Sequence, residues 1–480
     1  MLAPSSLIKE IEVIKLLTIL ISILILTHPC LPQESWSYYT FNSTGGKLGS
    51  DRVYAIAVDP NDEGKTIWFG CRPNEDQGWV GGLSKLDTET GEWTLYTTDN
   101  SGLPHNRIWD IEFDADGNMW IATHGGGLAK FEPPYGNNNW TVFGEGSGIG
   151  FNNIYEIVID HDGILWLGHG PDDAATAALT IFDRNANWYV FTADNSTLPE
   201  NAVYAVTFDS EGNKWLGTKT QGIFKLNDNG TTFDPADDEW THFTTGNGLA
   251  YDQINANAAD YIAGNIWFGH DRQGGADVWD GSSWTNHLND RMIRTIAHDW
   301  RNHVWCGEKR AHDECNGIFI YDGITWENIT EDNGLGWNVV NKITINNKTG
   351  DVWIGHDGSA DGGGVSLLQG KVPPGPTLVE NSDYSIAKGF GLSQNYPNPF
   401  NAVTFIQYTL DKAQHVKFSI YNLSGELVKN IENSYKAPGT YVVIWDGTNN
   451  VGHAVSSAIY VYQVQTEDGR LAMKKALLLK

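Results

Sequence analysis

The sequence predicts an all-β protein: a seven-bladed β-propeller closed by its N-terminal strand, followed by a small C-terminal β-sandwich. Three observations carry this. A Trp-x-Gly-like core recurs seven times, each recurrence sits within four short apolar segments bounded by turns, and the composition changes after Lys371.

The recurring core reads IWFG at Trp68, MWIA at Trp120, LWLG at Trp166, KWLG at Trp215, IWFG at Trp267, VWCG at Trp305 and VWIG at Trp353. Successive spacings are 52, 46, 49, 52, 38 and 48 residues. Such periods mean propeller blades or solenoid units. No unit shows helical periodicity, which excludes an α-solenoid. The first segment of a unit is apolar and ends in Asp, as at Asp59, Asp114, Asp160 and Asp209. A Gly-rich turn leads into the Trp-x-Gly strand. The third strand starts near a glycine, and the fourth carries a second Trp at Trp93, Trp140, Trp188, Trp240, Trp284 and Trp326. Four strands with a turn between each pair are what a propeller blade requires.

Seven second-strand tryptophans are followed by only six fourth-strand ones. The missing strand stands at the other end, in SWSYYTF with Trp36. It is expected to complete the last blade, which removes an exposed sheet edge. The DADGN stretch at Asp114 has the opening of a calcium loop without its downstream ligands, and reads as a hairpin turn. Tryptophans at blade spacing read as packing residues. Trp79 and Trp337 fall outside the repeat and are expected to be exposed.

The stretches Asp209 to Thr218 (DSEGNKWLGT) and Asp114 to Thr123 (DADGNMWIAT) carry a specific pattern. Through them the units resemble two-component-regulator propeller repeats over about residues 36–370. The resemblance implies a propeller of the kind that forms periplasmic sensors, although no kinase region accompanies the repeats.

VPPGPTLVENSD then reads as a linker, with residues 371–391 joining a propeller at 35–370 to a sandwich at 392–480. The last region carries Asn395-Tyr396-Pro397-Asn398-Pro399-Phe400-Asn401, Tyr421-Asn422, Trp445-Asp446-Gly447, Gly452 and Lys474-Lys475. It is similar to the type A C-terminal sorting domain of the type IX secretion system. More loosely, it is similar to the immunoglobulin-like fold of flagellar-hook capping proteins. Ala402 and Ala458 depart from that pattern, standing where Pro and Gly are usual. The resemblance implies that residues 392–480 engage the type IX secretion machinery.

Residues 1–34 read as a signal peptide and leader: LLTILISILIL from Leu16 to Leu26 follows Lys9 and Lys15 and is too short to span a bilayer. Pro29 before Cys30 argues against a lipid acceptor. The expected location is secreted or at the outer cell surface, via the periplasm, with no transmembrane span in the mature chain.

The net charge of −28 argues against nucleic acid and anionic membranes, which need Lys and Arg. Four cysteines without a CxxC pair argue against structural zinc. Cys306 and Cys315 flank a loop between adjacent strands, and export favours oxidation, so a disulfide is expected there. No phosphate loop, nucleophile elbow or HExxH occurs, and no cofactor or metal is expected.

The candidate site comes from position. The residue just after Trp-x-Gly is His169, His270 and His356 in the third, fifth and seventh units and Glu308 in the sixth, and Asp271 and Asp357 directly follow two of the histidines. Equivalent positions in a closed ring share height and radius, so these six are expected around the channel mouth. Imidazole and carboxylate can polarise a sugar hydroxyl or trade protons. Alternate blades hold the rings too far apart for metal bonds of about 2.1 Å, so hydrogen bonding to a polar ligand is expected. The sequence therefore points to a binding protein for a glycan, peptide or protein partner. The alternative is a secreted polysaccharide hydrolase or lyase with its active site at the channel mouth.

Overall fold

The computed structural model describes residues 34–479, except 137–138, 161, 171–177, 199–202, 210–211, 260–264, 310–314, 360–361, 375–389, 394, 396–397, 399, 401–403, 413, 437–438 and 452. The leader, with Cys30, lies outside the described residues. The chain divides into two compact units, with the main boundary in the sequence between residues 375 and 376. Its described helices are three-residue 3-10 turns. No described helix is long and apolar enough to cross a membrane.

The first unit contains seven four-stranded antiparallel sheets, an arrangement consistent with a propeller. Six of them run in simple sequence order; the first, for example, comprises Val53–Val58, Thr66–Cys71, Gly82–Asp87 and Trp93–Tyr96. In the seventh, Val340–Asn346, Asp351–His356 and Val365–Gln369 are joined by the N-terminal strand Ser35–Tyr39. Trp36 pairs with Leu368 there, in an antiparallel register running from Ser35–Gln369 to Tyr39–Val365. The first strand of each sheet packs against the first strand of the next, and Val340–Asn346 packs against Val53–Val58. These strands thus form a closed inner ring.

The Asp that ends the first strand has a definite task. Asp114 Oδ1 accepts the backbone N–H groups of Asp116 and Asn118, closing the turn, and its Oδ2 accepts the Trp120 indole N–H at 2.9 Å. The same Asp–indole bond joins Asp59 to Trp68, Asp160 to Trp166 and Asp209 to Trp215 at 2.9 Å, and Asp299 to Trp305 at 3.4 Å. The hairpin reading of DADGN is therefore right: these oxygens serve N–H donors. Six of the seven core indoles pack in buried clusters between neighbouring sheets. Trp68, for instance, shares a buried cluster with Ile108, Ile121 and Phe131 of the second sheet. Burying such a side chain contributes about 5 kcal/mol, which explains why the pattern is repeated rather than varied. Trp79 and Trp337 depart from expectation, because both are buried, at 7% and 9% exposure.

The second unit holds a three-stranded sheet (Gly391–Leu392, Thr404–Leu410, Gly439–Trp445) and a four-stranded one (Leu427–Lys436, Gln414–Asn422, Ala458–Thr466, Leu471–Leu478). Both contribute to one core containing Tyr408, Phe418, Trp445 and Tyr462. The Asn395–Asn401 motif is partly explained by this packing. Asn398 Oδ1 accepts the Leu477 N–H at 2.8 Å, and the Phe400 N–H donates to the Leu477 carbonyl. The motif thereby fastens the final strand.

Candidate functional site

All seven inner strands carry the same irregularity: pairing to the second strand skips one residue just after the strand begins. The skipped residues are Tyr54, Trp109, Tyr155, Tyr204, Asn255, Arg294 and Asn341. A β-bulge re-aims such a side chain out of the strand's alternation. The four aromatic ones form a continuous arc. Tyr54 meets Trp109 edge-on at 5.0 Å between ring centres, Trp109 stacks on Tyr155 at 4.2 Å, and Tyr155 stacks on Tyr204 at 4.7 Å. The other three positions are polar, so the ring end is half aromatic and half hydrogen-bonding.

Cations lie against this arc. Arg107 sits 4.7 Å from the Trp109 ring centre, Lys309 4.9 Å and Arg72 5.9 Å from that of Tyr54. The Tyr54 hydroxyl accepts from Arg72 Nη1 at 3.3 Å and Lys309 Nζ at 3.2 Å, and donates to Asp357 Oδ2 at 3.2 Å. Lys309 Nζ is 2.8 Å from Asp357 Oδ2, and Arg52 Nε is 3.8 Å from Asp357 Oδ1. Burial alone would raise the Asp357 carboxyl; Lys309 and Arg52 outweigh it and hold the group below its ordinary value. Burial, and then the charge of Arg72, lower the Arg107 guanidinium.

One residue further along the strands the character reverses. Asp110, Glu112 and Glu156 gather around Lys342, whose Nζ is 3.1 Å from Asp110 Oδ1. Ala55 and Ala57 hold the corresponding places on the intervening strand, between those of Lys342 and Asp110. Burial, then the charge of Asp110, push Glu112 up to about 8, and Glu156 is raised well above its ordinary value for the same reasons. Lys342 is raised, because the three carboxylates outweigh its burial. No group of His, Cys, Asp and Glu among the described residues has the arrangement of a metal site.

Of the six residues expected by position, four are turned away from the ring end. His169, His270, His356 and Glu308 are each fully buried and do not line the ring end. Each is the last residue of its second strand and turns toward the third. His169 Nε2 bonds Thr180 Oγ1 at 2.7 Å, His356 Nε2 bonds Ser366 Oγ at 2.7 Å, and His270 Nε2 bonds Asp277 Oδ2 at 2.8 Å. Those partners accept the N–H groups of Gly150, Gly336 and Ala250 in the loops entering the sheets. Glu308 accepts from the Asn316 N–H at 2.8 Å. The position is a buried latch between strand and loop, and burial pushes His169 and His356 down to about 4. Alternation sends the next residue to the ring end: Arg72, Lys309, Asp357 and Asp271, the last adding its charge at Tyr204 behind the larger effects of burial and Tyr155.

The disulfide expectation is also corrected. Cys306 and Cys315 are buried thiols and are not joined. Cys306 packs with Trp267 and Phe319 in the core between sheets, and burial raises its thiol strongly.

The residues missed by position were visible in another way. VYAIAVD, IWDIEFD and IYEIVID place an aromatic second and, in two of the three, an acid third in otherwise apolar strands.

A family model, the two component regulator propeller, matches residues 102–125, and the FlgD Ig-like domain model matches residues 401–470. No curated protein sequence matches the chain. Among solved structures the chain is similar to PorZ, an essential bacterial surface component of the type-IX secretion system of Porphyromonas gingivalis. That likeness has 18% identity and a TM-score of 0.51, covering 90% of this chain and 60% of PorZ. It is also similar to the extracellular domains of the B. thetaiotaomicron hybrid two component systems BT3049 (14%, TM-score 0.54, 92% and 57% covered) and BT4673 (15%, 0.54, 93% and 59%). The chain spans about three fifths of each of these structures. At such identities the likeness is one of fold: an all-β chain with propeller repeats.

Proposed function

We propose that this chain is an exported ligand-binding protein whose seven sheets are the blades of one propeller, closed by the Ser35–Tyr39 strand. Its ligand, a glycan, peptide or protein partner, binds at the ring end marked by Tyr54, Trp109, Asp271 and Asp357. The observation that carries this is the aromatic and cationic cluster, converging from five sheets at one end of the ring in a chain of net charge −28. Rings with polar groups at fixed places on a rigid scaffold suit ligand recognition. Residues 392–480 act as an immunoglobulin-like sorting domain read by the type IX secretion machinery, and the protein reaches the outer surface through the periplasm. The motif at Asn395–Asn401 and the fold shared with PorZ support this. Deleting residues 392–480 is expected to trap a folded propeller in the periplasm; a truncated protein found at the surface removes the sorting role.

One observation favours a second reading, a polysaccharide hydrolase or lyase. Glu112, held up to about 8 beside Asp110 and Glu156, has the protonation a general acid needs near neutral pH. A glycan array combined with an activity screen on the same glycans separates the two. Binding without turnover supports the binding protein, and turnover lost in Glu112→Gln supports the enzyme.

A further inference from the structure

We infer that the ring end takes an acidic saccharide, a sugar chain bearing carboxylates. The inference rests on the proposed ligand-binding reading and adds the charge and chemical class of the ligand. Acidic residues outnumber basic ones 59 to 31 in the whole chain, yet at this end the proportion is inverted. Arg52, Arg72, Arg107, Arg294 and Lys309 gather here with two carboxylates, Asp357 and Asp271, and Arg294 also acts on Glu156 of the deeper layer. Asp357 is engaged by Lys309 and Arg52. Among the described residues, Arg72, Arg107 and Arg294 form no ion pair, and Arg107 Nε is buried without a hydrogen-bond partner. Several guanidinium groups held this close repel one another unless an anion sits among them, and a guanidinium fork matches a carboxylate in plane and spacing.

The rest of the ring end fits a sugar better than a bare anion. The aromatic stack stops at Tyr204, which is partly exposed and is followed by the smaller Asn255. The open side of such a stack offers a flat apolar surface for a pyranose ring. Asp357, the Tyr204 hydroxyl and the Asn255 amide supply acceptors and donors for hydroxyl groups. The acids Asp110, Glu112 and Glu156 lie one layer deeper, with Lys342 among them, so they oppose the anion from beneath only in part.

The test titrates the full exported chain with oligogalacturonate of defined length and with the same oligomer after carboxyl reduction, following heat and intrinsic Trp fluorescence. The acidic oligomer is expected to bind, at least tenfold more weakly in Arg72→Gln and in Arg107→Gln, and more weakly in high salt. The reduced oligomer is expected to bind at least tenfold more weakly than the acidic one. Circular dichroism confirms that the variants fold. Equal affinity for both oligomers, lost in Tyr204→Ala but unchanged in the arginine variants, overturns the inference and leaves the binding site standing. Acidic binding indifferent to both arginines places the anion elsewhere and also overturns it. Failure of both oligomers to bind overturns it too, and failure of every member of a wider neutral and acidic glycan panel removes a glycan ligand from the parent reading.

Discussion

Trp109 and Asp110 are neighbours in one strand, yet they belong to layers of opposite chemistry. Trp109 joins the arc of rings on which Arg107 lies, and Asp110 joins the carboxylates gathered around Lys342. The bulge after the first residue of the strand is what separates them. It aims one side chain toward the ring end and returns the next to the strand's alternation. The outer layer has three guanidinium groups without ion pairs among the described residues, so its charge is available to a ligand. In the inner layer the charges satisfy one another, and a carboxyl whose burial cost is not met keeps its proton instead. Under the proposed reading, charge serves recognition in one layer and holds the ring together in the other.

Removing the inner cation should break this contrast most severely. Lys342→Met leaves three acids facing each other, and a buried charge deprived of its partner typically costs about 3–5 kcal/mol. The loss should be larger at pH 8 than at pH 5, where the acids take up protons. Urea unfolding at both values checks this, and a pH-independent loss would mean that the carboxyls are not coupled to Lys342. In the parent protein Glu112, raised from an ordinary 4.5 to about 8, binds a proton more tightly folded than unfolded. Its contribution is therefore present at acidic pH and declines as pH climbs from about 4.5 to 8.

The histidine latches set the acid limb with the opposite sign. His169 and His356 are held neutral in the fold down to about 4, whereas the unfolded side chain protonates near 6.5. Stability is then lost as pH falls from 6.5 to 4, by an amount on the order of 3 kcal/mol for each group. His169→Gln should flatten this limb while leaving oligosaccharide binding unchanged. A loss of binding without a change in the pH slope would return the histidine to the site.

A smaller effect separates the repeats. Trp120→Phe and Trp353→Phe remove the same ring volume, but only Trp120 donates to an Asp, whereas the Trp353 indole N–H has no hydrogen-bond partner. Trp120→Phe should cost about 1–2 kcal/mol more by thermal unfolding, the penalty for leaving Asp114 short of a donor. Smallest of all, Arg72→Gln should leave stability within about 0.5 kcal/mol, since it breaks one hydrogen bond to Tyr54 at the partly exposed ring end.

What the sequence determined by itself is the scaffold. The spacing of Trp68 through Trp353, the Asp that ends most of the first strands and the displaced strand at Trp36 report a repeat whose units must bury the same indole and close the same turn. Those demands are local, and they are written in residues close together in the chain. The site was decided by tertiary structure. His169, His270 and His356 share a repeat position and were rightly grouped, but parity along the strand and the pull of Thr180, Asp277 and Ser366 turn them inward. Tyr54, Arg72, Lys309 and Asp357 come from the first, sixth and seventh sheets. Only ring closure brings residues 54 and 357 within hydrogen-bonding distance, because the bond between them spans 303 positions of the chain. Local periodicity fixes which residues occupy equivalent places. Which of those places face one another, and which end of the ring they reach, depends on closure and on the bulge, and the bulge has no signature at any single residue.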